Sequence, residues 1–157
     1  MTTASQVSVQ DIEFQAEDLD IAKAAAVYKE HGCLVVRGLQ KPYVQQVKRE
    51  IEAAMETALS LYDQVEKIPE GWKTPDGTLW LRAPEGYDRE RQIMVLRINY
   101  MISSAFFMSS LDKKTLDLVE AVLGPDIELF MHGQSLVKEP VGGHAKNLHQ
   151  DASYFEH

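Results

Sequence analysis

Thiols are almost missing from this 157-residue sequence, which has one cysteine, Cys33. A single thiol rules out an internal disulfide, and a reducing compartment is the expectation. No apolar run approaches the roughly 18–20 residues needed to cross a bilayer. No signal-peptide pattern opens the sequence either, so a soluble cytoplasmic protein is expected. Positive charge is also scarce. Lys and Arg number 16 against 24 Asp and Glu, a formal net charge of −8. Phosphate recognition needs a basic patch, so a nucleic-acid partner is excluded, as is an anionic membrane surface. Internal repeats and low-complexity tracts are absent as well.

What is present suits one domain over residues 1–157. Hydrophobic residues make up 45% and charged residues 25%, the ordinary balance of a globular chain able to bury a core. Only the small, polar start "MTTASQVSVQ" reads as frayed, and disorder is expected over residues 1–12.

Three helices are legible. "DLDIAKAAAVYKEH" (18–31) has Asp18 as cap candidate, apolar residues at helical spacing, and Gly32 where a left-handed turn ends many helices. Residues 42–65 carry a stripe of Val44, Val47, Ile51, Met55, Leu59, Tyr62 and Val65, with Pro42 suited to the first turn. "LDKKTLDLVEAVL" (111–123) has Asp112 as cap, an inward stripe of Leu116, Val119 and Leu123, and a Gly124-Pro125 stop. "CLVVRG" (33–38) reads as a buried strand. Residues 66–92 are punctuated by Pro and Gly and read as a long loop, packed or lid-like, with "TLWLR" as a short strand. "IMVLRINYMI" (93–102) is ambiguous between strand and helix. "IELFM" (127–131), "QSLVKE" (134–139) and "NLHQDASYF" (147–155) read as strands around the loop "PVGGHA". Helices first and strands last suggest an α+β fold, with helices on one face of a mostly antiparallel sheet.

The chemistry gathers near the end. In a strand, residues two apart share a face, so His149 and Asp151 in "HQD" converge while Gln150 points away. An imidazole and a carboxylate are two-thirds of the facial triad that holds non-haem Fe(II), and zinc accepts the same ligands. On its own the pair is a weak signal, and a surface His beside an Asp is the plainer reading.

Context strengthens it. "FMHGQSLVKEPVGGHAKNLHQDASYF" (130–155) resembles the phytanoyl-CoA dioxygenase family of Fe(II)/2-oxoglutarate oxygenases. The resemblance is carried by "HQD", the following Tyr154-Phe155 and the preceding Lys138-x-Pro140. "HGCLVVRGL" and "LDLVEAVLGPDIEL" are similar to earlier passages of the family. The likeness runs from about residue 15 to 157 and is faint over 66–100.

The resemblance implies helices packed on a double-stranded β-helix, a jelly-roll of the cupin type. It implies Fe(II), 2-oxoglutarate as co-substrate, O₂ and a small-molecule substrate. It makes His149 and Asp151 the first two metal ligands and places Gln134 and Met131 along the co-substrate pocket, with ordinary packing as the alternative for both. Arg97 and Asn99 border the substrate or serve structure. Tyr154 and Phe155 are expected in the core.

The family pattern also demands a distal histidine and an arginine that pairs with the far carboxylate of 2-oxoglutarate. His157 lies six residues beyond Asp151, about 20 Å away if the chain stays extended. His144 is reachable only through the Gly142-Gly143 loop, and His132 and His31 are expected to be satisfied or solvent-facing. A β-helix of this kind needs about eight strands, and the stretch after Ile127 holds two or three at typical length. The sequence is therefore expected to be an N-terminal portion with an incomplete barrel, inactive alone. The alternatives are a second chain that completes the barrel, a non-catalytic or hetero-oligomeric binding module with a vestigial His-x-Asp, and a cupin-like metal protein of different chemistry.

Overall fold

The computed structural model describes residues 7–96, 99–130, 133–141 and 148–150. They divide into two compact units. One comprises residues 1–55 and 98–133, the other residues 56–97 and 134–157.

The first unit is mainly helical. α1 (Val9–Ile12) is a single turn closed by a capping box in which Asp11 accepts from the Ser8 backbone and hydroxyl, each at 2.9 Å. It leads into β1 (Glu13–Gln15), which pairs in parallel with β2 (Val35–Arg37). The crossover between them is α2 (Ile21–His31). Asp20 caps α2 through Lys23 N–H at 3.0 Å, two residues after the expected Asp18. Gly32 ends it at φ 73°, a left-handed position that Gly adopts without a Cβ clash. The strand read in "CLVVRG" thus exists but is not fully buried: Val35 and Val36 are half-buried and Cys33 is exposed.

α3 (Val44–Ser60) follows the turn around Pro42. α4 (Asn99–Ile102), α5 (Ser104–Ser110) and α6 (Lys113–Leu123) complete the helices. Glu50 of α3 accepts from the Ala105 amide at 3.3 Å, and Tyr43 donates to the α6 cap Asp112 at 3.1 Å. Glu50 is held below the usual carboxylate range by hydrogen bonds from Ser103 and Gln46. The interior here is small: Ala16, Ala24, Ala25, Ala105 and Leu118 are buried. Residues 127–130, expected as a strand, have no regular structure.

The second unit is a five-stranded antiparallel sheet in sequential order, β3 (Glu66–Ile68), β4 (Gly71–Lys73), β5 (Leu79–Arg82), β6 (Arg91–Leu96) and β7 (Ser135–Leu136). The expected long loop over 66–92 is instead most of this sheet. Pro69, Pro75, Gly77, Pro84 and Gly86 lie in the turns between strands, not in one continuous excursion. Gly71 is needed for close approach: a Cβ there would lie 2.2 Å from the Trp80 carbonyl oxygen. The segment 93–102, ambiguous in sequence, is split between β6 and α4.

The sheet has a dense interior. Trp80 is fully buried, with Ile93 and Leu96 beside it at 2% and 1% exposure. The Trp80 indole donates to Thr74 Oγ1 at 3.2 Å, so its one polar atom is satisfied. Tyr62, from a 3₁₀ turn at Tyr62–Gln64, meets the Trp80 ring edge-on at 5.4 Å. Arg91 stacks 4.2 Å over Tyr62 and donates to the Tyr62 carbonyl at 3.1 Å. The sheet is open, and the described residues form no closed barrel.

Candidate metal centre

Of the four residues expected at the site, Gln134 and His149 are among the described residues. Asp151 and Met131 lie outside them, as do His132, His144, Arg97, Tyr154, Phe155 and His157. His149 is exposed, between exposed Leu148 and Gln150. Gln134 is exposed and leads directly into β7. His31 is half-buried at the end of α2, its Nε2 3.9 Å from Glu30, and takes no part. Among the described residues no three His, Cys, Asp or Glu side chains gather closely enough to hold a metal.

The segment that follows Gln134 includes the two-residue strand β7. Exposure alternates along 134–139: Gln134, Leu136 and Lys138 face outward, while Ser135, Val137 and Glu139 are half-buried. This is the period-two pattern of an edge strand. Leu136 lies opposite Val95 and Ser135 opposite Leu96. Val137 N–H then donates to the Met94 carbonyl at 2.9 Å.

Beyond Val137 a side chain continues the pairing. Glu139 accepts from the Ile93 amide at 2.7 Å, and its other oxygen accepts from Tyr87 Oη and Arg89 Nη2. Arg89 also donates to Tyr87 Oη at 2.9 Å. The Glu139 side chain is only 8% exposed. Burial, followed by the hydrogen bond to Glu139, pushes the Tyr87 phenol above its usual pKa. Sequence reasoning assigned Glu139 no role. The available signal was its phase: it shares the inward face with Ser135 and Val137, where an acid requires partners.

The helical unit holds a separate concavity of about 590 Å³. Val47, Phe106, Leu116, Val119 and Ile127 supply apolar walls. Its single acidic lining residue is Glu128, so its chemistry is not that of a metal centre.

A family model, phytanoyl-CoA dioxygenase (PhyH), matches residues 28–157. The match covers most of the chain, and the protein belongs to this family, whose members are typically dioxygenase-like enzymes using Fe(II) and 2-oxoglutarate. No curated protein and no solved structure matches the chain. No helix among the described residues is long and apolar enough to cross a membrane.

Proposed function

We propose that this protein is a non-haem Fe(II)- and 2-oxoglutarate-dependent dioxygenase that hydroxylates a small organic substrate. The observation that carries the reading is the His149-x-Asp151 pair within the segment that the family model matches. The donor set fits the ion: one imidazole nitrogen and one carboxylate oxygen suit Fe(II), which the facial arrangement leaves open to co-substrate. Bound there, the ion would supply the chemistry by which O₂ is divided, one oxygen atom entering succinate as 2-oxoglutarate loses CO₂ and the other converting a substrate C–H to C–OH.

The chain's own residues have simpler tasks. His149 binds through a neutral ring nitrogen and Asp151 as a carboxylate. Gln134 and Met131 border the co-substrate, with Gln134 offering an amide donor and acceptor. This reading calls for a double-stranded β-helix, with a third ligand and an anchoring arginine from outside the described residues. The single cysteine supports a cytoplasmic setting.

The test is anaerobic Fe(II) titration of the wild-type chain, His149→Ala and Asp151→Ala. Each substitution is expected to weaken binding at least tenfold, since each removes a direct ligand. Equal affinity in all three would reject the assignment.

A second reading has one observation in its favour. Among the described residues β7 is one of the sheet's two edge strands, and its ladder with β6 is two residues long. An open edge of this kind suits a second chain that completes the barrel, with this chain as the binding half of a heteromer. It predicts that Fe(II) affinity is unchanged by His149→Ala.

A further inference from the structure

We propose that Glu139 sets the register of β7, and through that register places Gln134; the second clause rests on the oxygenase reading above. β7 is short and lies at the edge among the described residues, so its two ladder pairs and the Val137–Met94 backbone bond specify its register weakly. A slip of one residue would turn Gln134, Leu136 and Lys138 from the outward face to the inward one.

Glu139 works against that slip by gathering three donors from one stretch of chain, Tyr87, Arg89 and the Ile93 amide. The Ile93 amide is available because of an irregularity in the neighbouring pair. Leu79 faces Val95 and Trp80 faces Ile93, so the register shifts by one residue at this point. A bulge of this kind redirects backbone groups and creates a local need for an outside acceptor.

The residues on either side of Glu139 cannot replace it. Lys138 would bring an ammonium against Arg89, and Pro140 carries no acceptor on its side chain. Register is therefore fixed by a charge-assisted, largely buried acceptor with no substitute one position away. Gln134 is five residues along the same extended segment, close enough for a slip to reach it undiminished.

Disulfide trapping in the full chain tests this, in a Cys33→Ser background. The Val95→Cys/Leu136→Cys pair reports the native register, and Val95→Cys/Val137→Cys reports the slipped one. With Glu139 intact, the native pair is expected to cross-link at least fivefold more than the slipped pair. Glu139→Ala is expected to reduce that preference to twofold or less. Glu139→Gln keeps one acceptor oxygen, enough for the Ile93 amide but not for Tyr87 and Arg89 as well, so it is expected to fall between the wild type and Glu139→Ala, and it stands in if the alanine variant does not fold. Unchanged preference in Glu139→Ala, or loss of preference in Glu139→Gln equal to that in a folded Glu139→Ala, would overturn the register role.

The functional clause is read separately by titration with Fe(II) and then 2-oxoglutarate. Glu139→Ala should weaken 2-oxoglutarate at least tenfold while Fe(II) affinity stays within twofold, a split that general destabilisation does not produce. Parallel loss of both overturns the placement of Gln134. Wild-type Fe(II) binding that survives His149→Ala instead rejects the oxygenase reading, and the trapping result still decides the register.

Discussion

The helical unit and the sheet unit treat their apolar side chains differently. In the sheet, Trp80, Ile93 and Leu96 are enclosed almost completely. In α6 only Leu118 is buried; Leu116 and Val119 line the open concavity, and Leu123 is 73% exposed. Val44 at the start of α3 is 50% exposed and lines the same concavity. Both units have apolar residues in phase with their secondary structure. Sharing a face is a local property of the chain, whereas being covered depends on what stands opposite that face.

The largest expected effect lies on the enclosed side of this contrast. Trp80→Ala removes a fully buried ring, its edge contact with Tyr62 and its bond to Thr74. A loss of about 3–5 kcal/mol is expected, read by urea denaturation with fluorescence from Trp72 or by circular dichroism. A loss below about 1 kcal/mol would mean that the sheet interior is not the stabilising centre of its unit.

The matching substitution on the open side should matter less. Leu116→Ala removes a half-buried side chain from the groove wall, and water already reaches that wall. About 1 kcal/mol is expected, in proportion to the apolar area that α6 withholds from solvent at this position. A cost near that of Trp80→Ala would show that the groove is covered in solution, and would erase the contrast between the units.

The same contrast explains what could be read from sequence. Helices α2, α3 and α6 were legible because their stripes, Asp112 and Gly32 are local signals. Their covering was not, so Leu123 was expected inward and is exposed. The sheet was harder. β3 and β4 have three residues each, too short for a period-two pattern, and Pro69, Pro75-Asp76-Gly77 and Pro84 read as one loop. "GWK-TPDGT-LWLR" did contain a hairpin signal, an Asp-Gly turn between Trp-bearing runs. At the candidate site, strand phase and resemblance single out His149, Asp151 and Gln134 in the sequence, and of these Gln134 and His149 lie among the described residues. Glu139 was not legible, because its partners Tyr87 and Arg89 lie about 50 residues away and no local pattern joins them.

The smallest expected effect is a difference between two tyrosines, one in each unit. Tyr43 and Tyr87 both have pKa values raised above 10.0, but the leading causes differ. For Tyr43 the hydrogen bond to Asp112 comes first; for Tyr87 burial does, with Glu139 second. A carboxylate that accepts from a phenol favours the protonated phenol, and burial penalises the phenolate. In both cases the folded pKa lies above the unfolded one. The contribution to stability is therefore complete below pH 10 and is lost as pH rises through the folded value. Asp112→Asn should return Tyr43 toward 10 and leave Tyr87 raised. Glu139→Gln should lower Tyr87, because burial is then opposed by Arg89, which still donates to the phenol oxygen and favours the phenolate. Phenolate absorbance titrations, with Tyr43→Phe and Tyr87→Phe to assign the two groups among six tyrosines, make the comparison. If Asp112→Asn leaves Tyr43 unmoved, the hydrogen bond is not its leading cause. If Glu139→Gln leaves Tyr87 unmoved, Glu139 is not among the causes of its shift, and the contrast between the two tyrosines rests on burial alone.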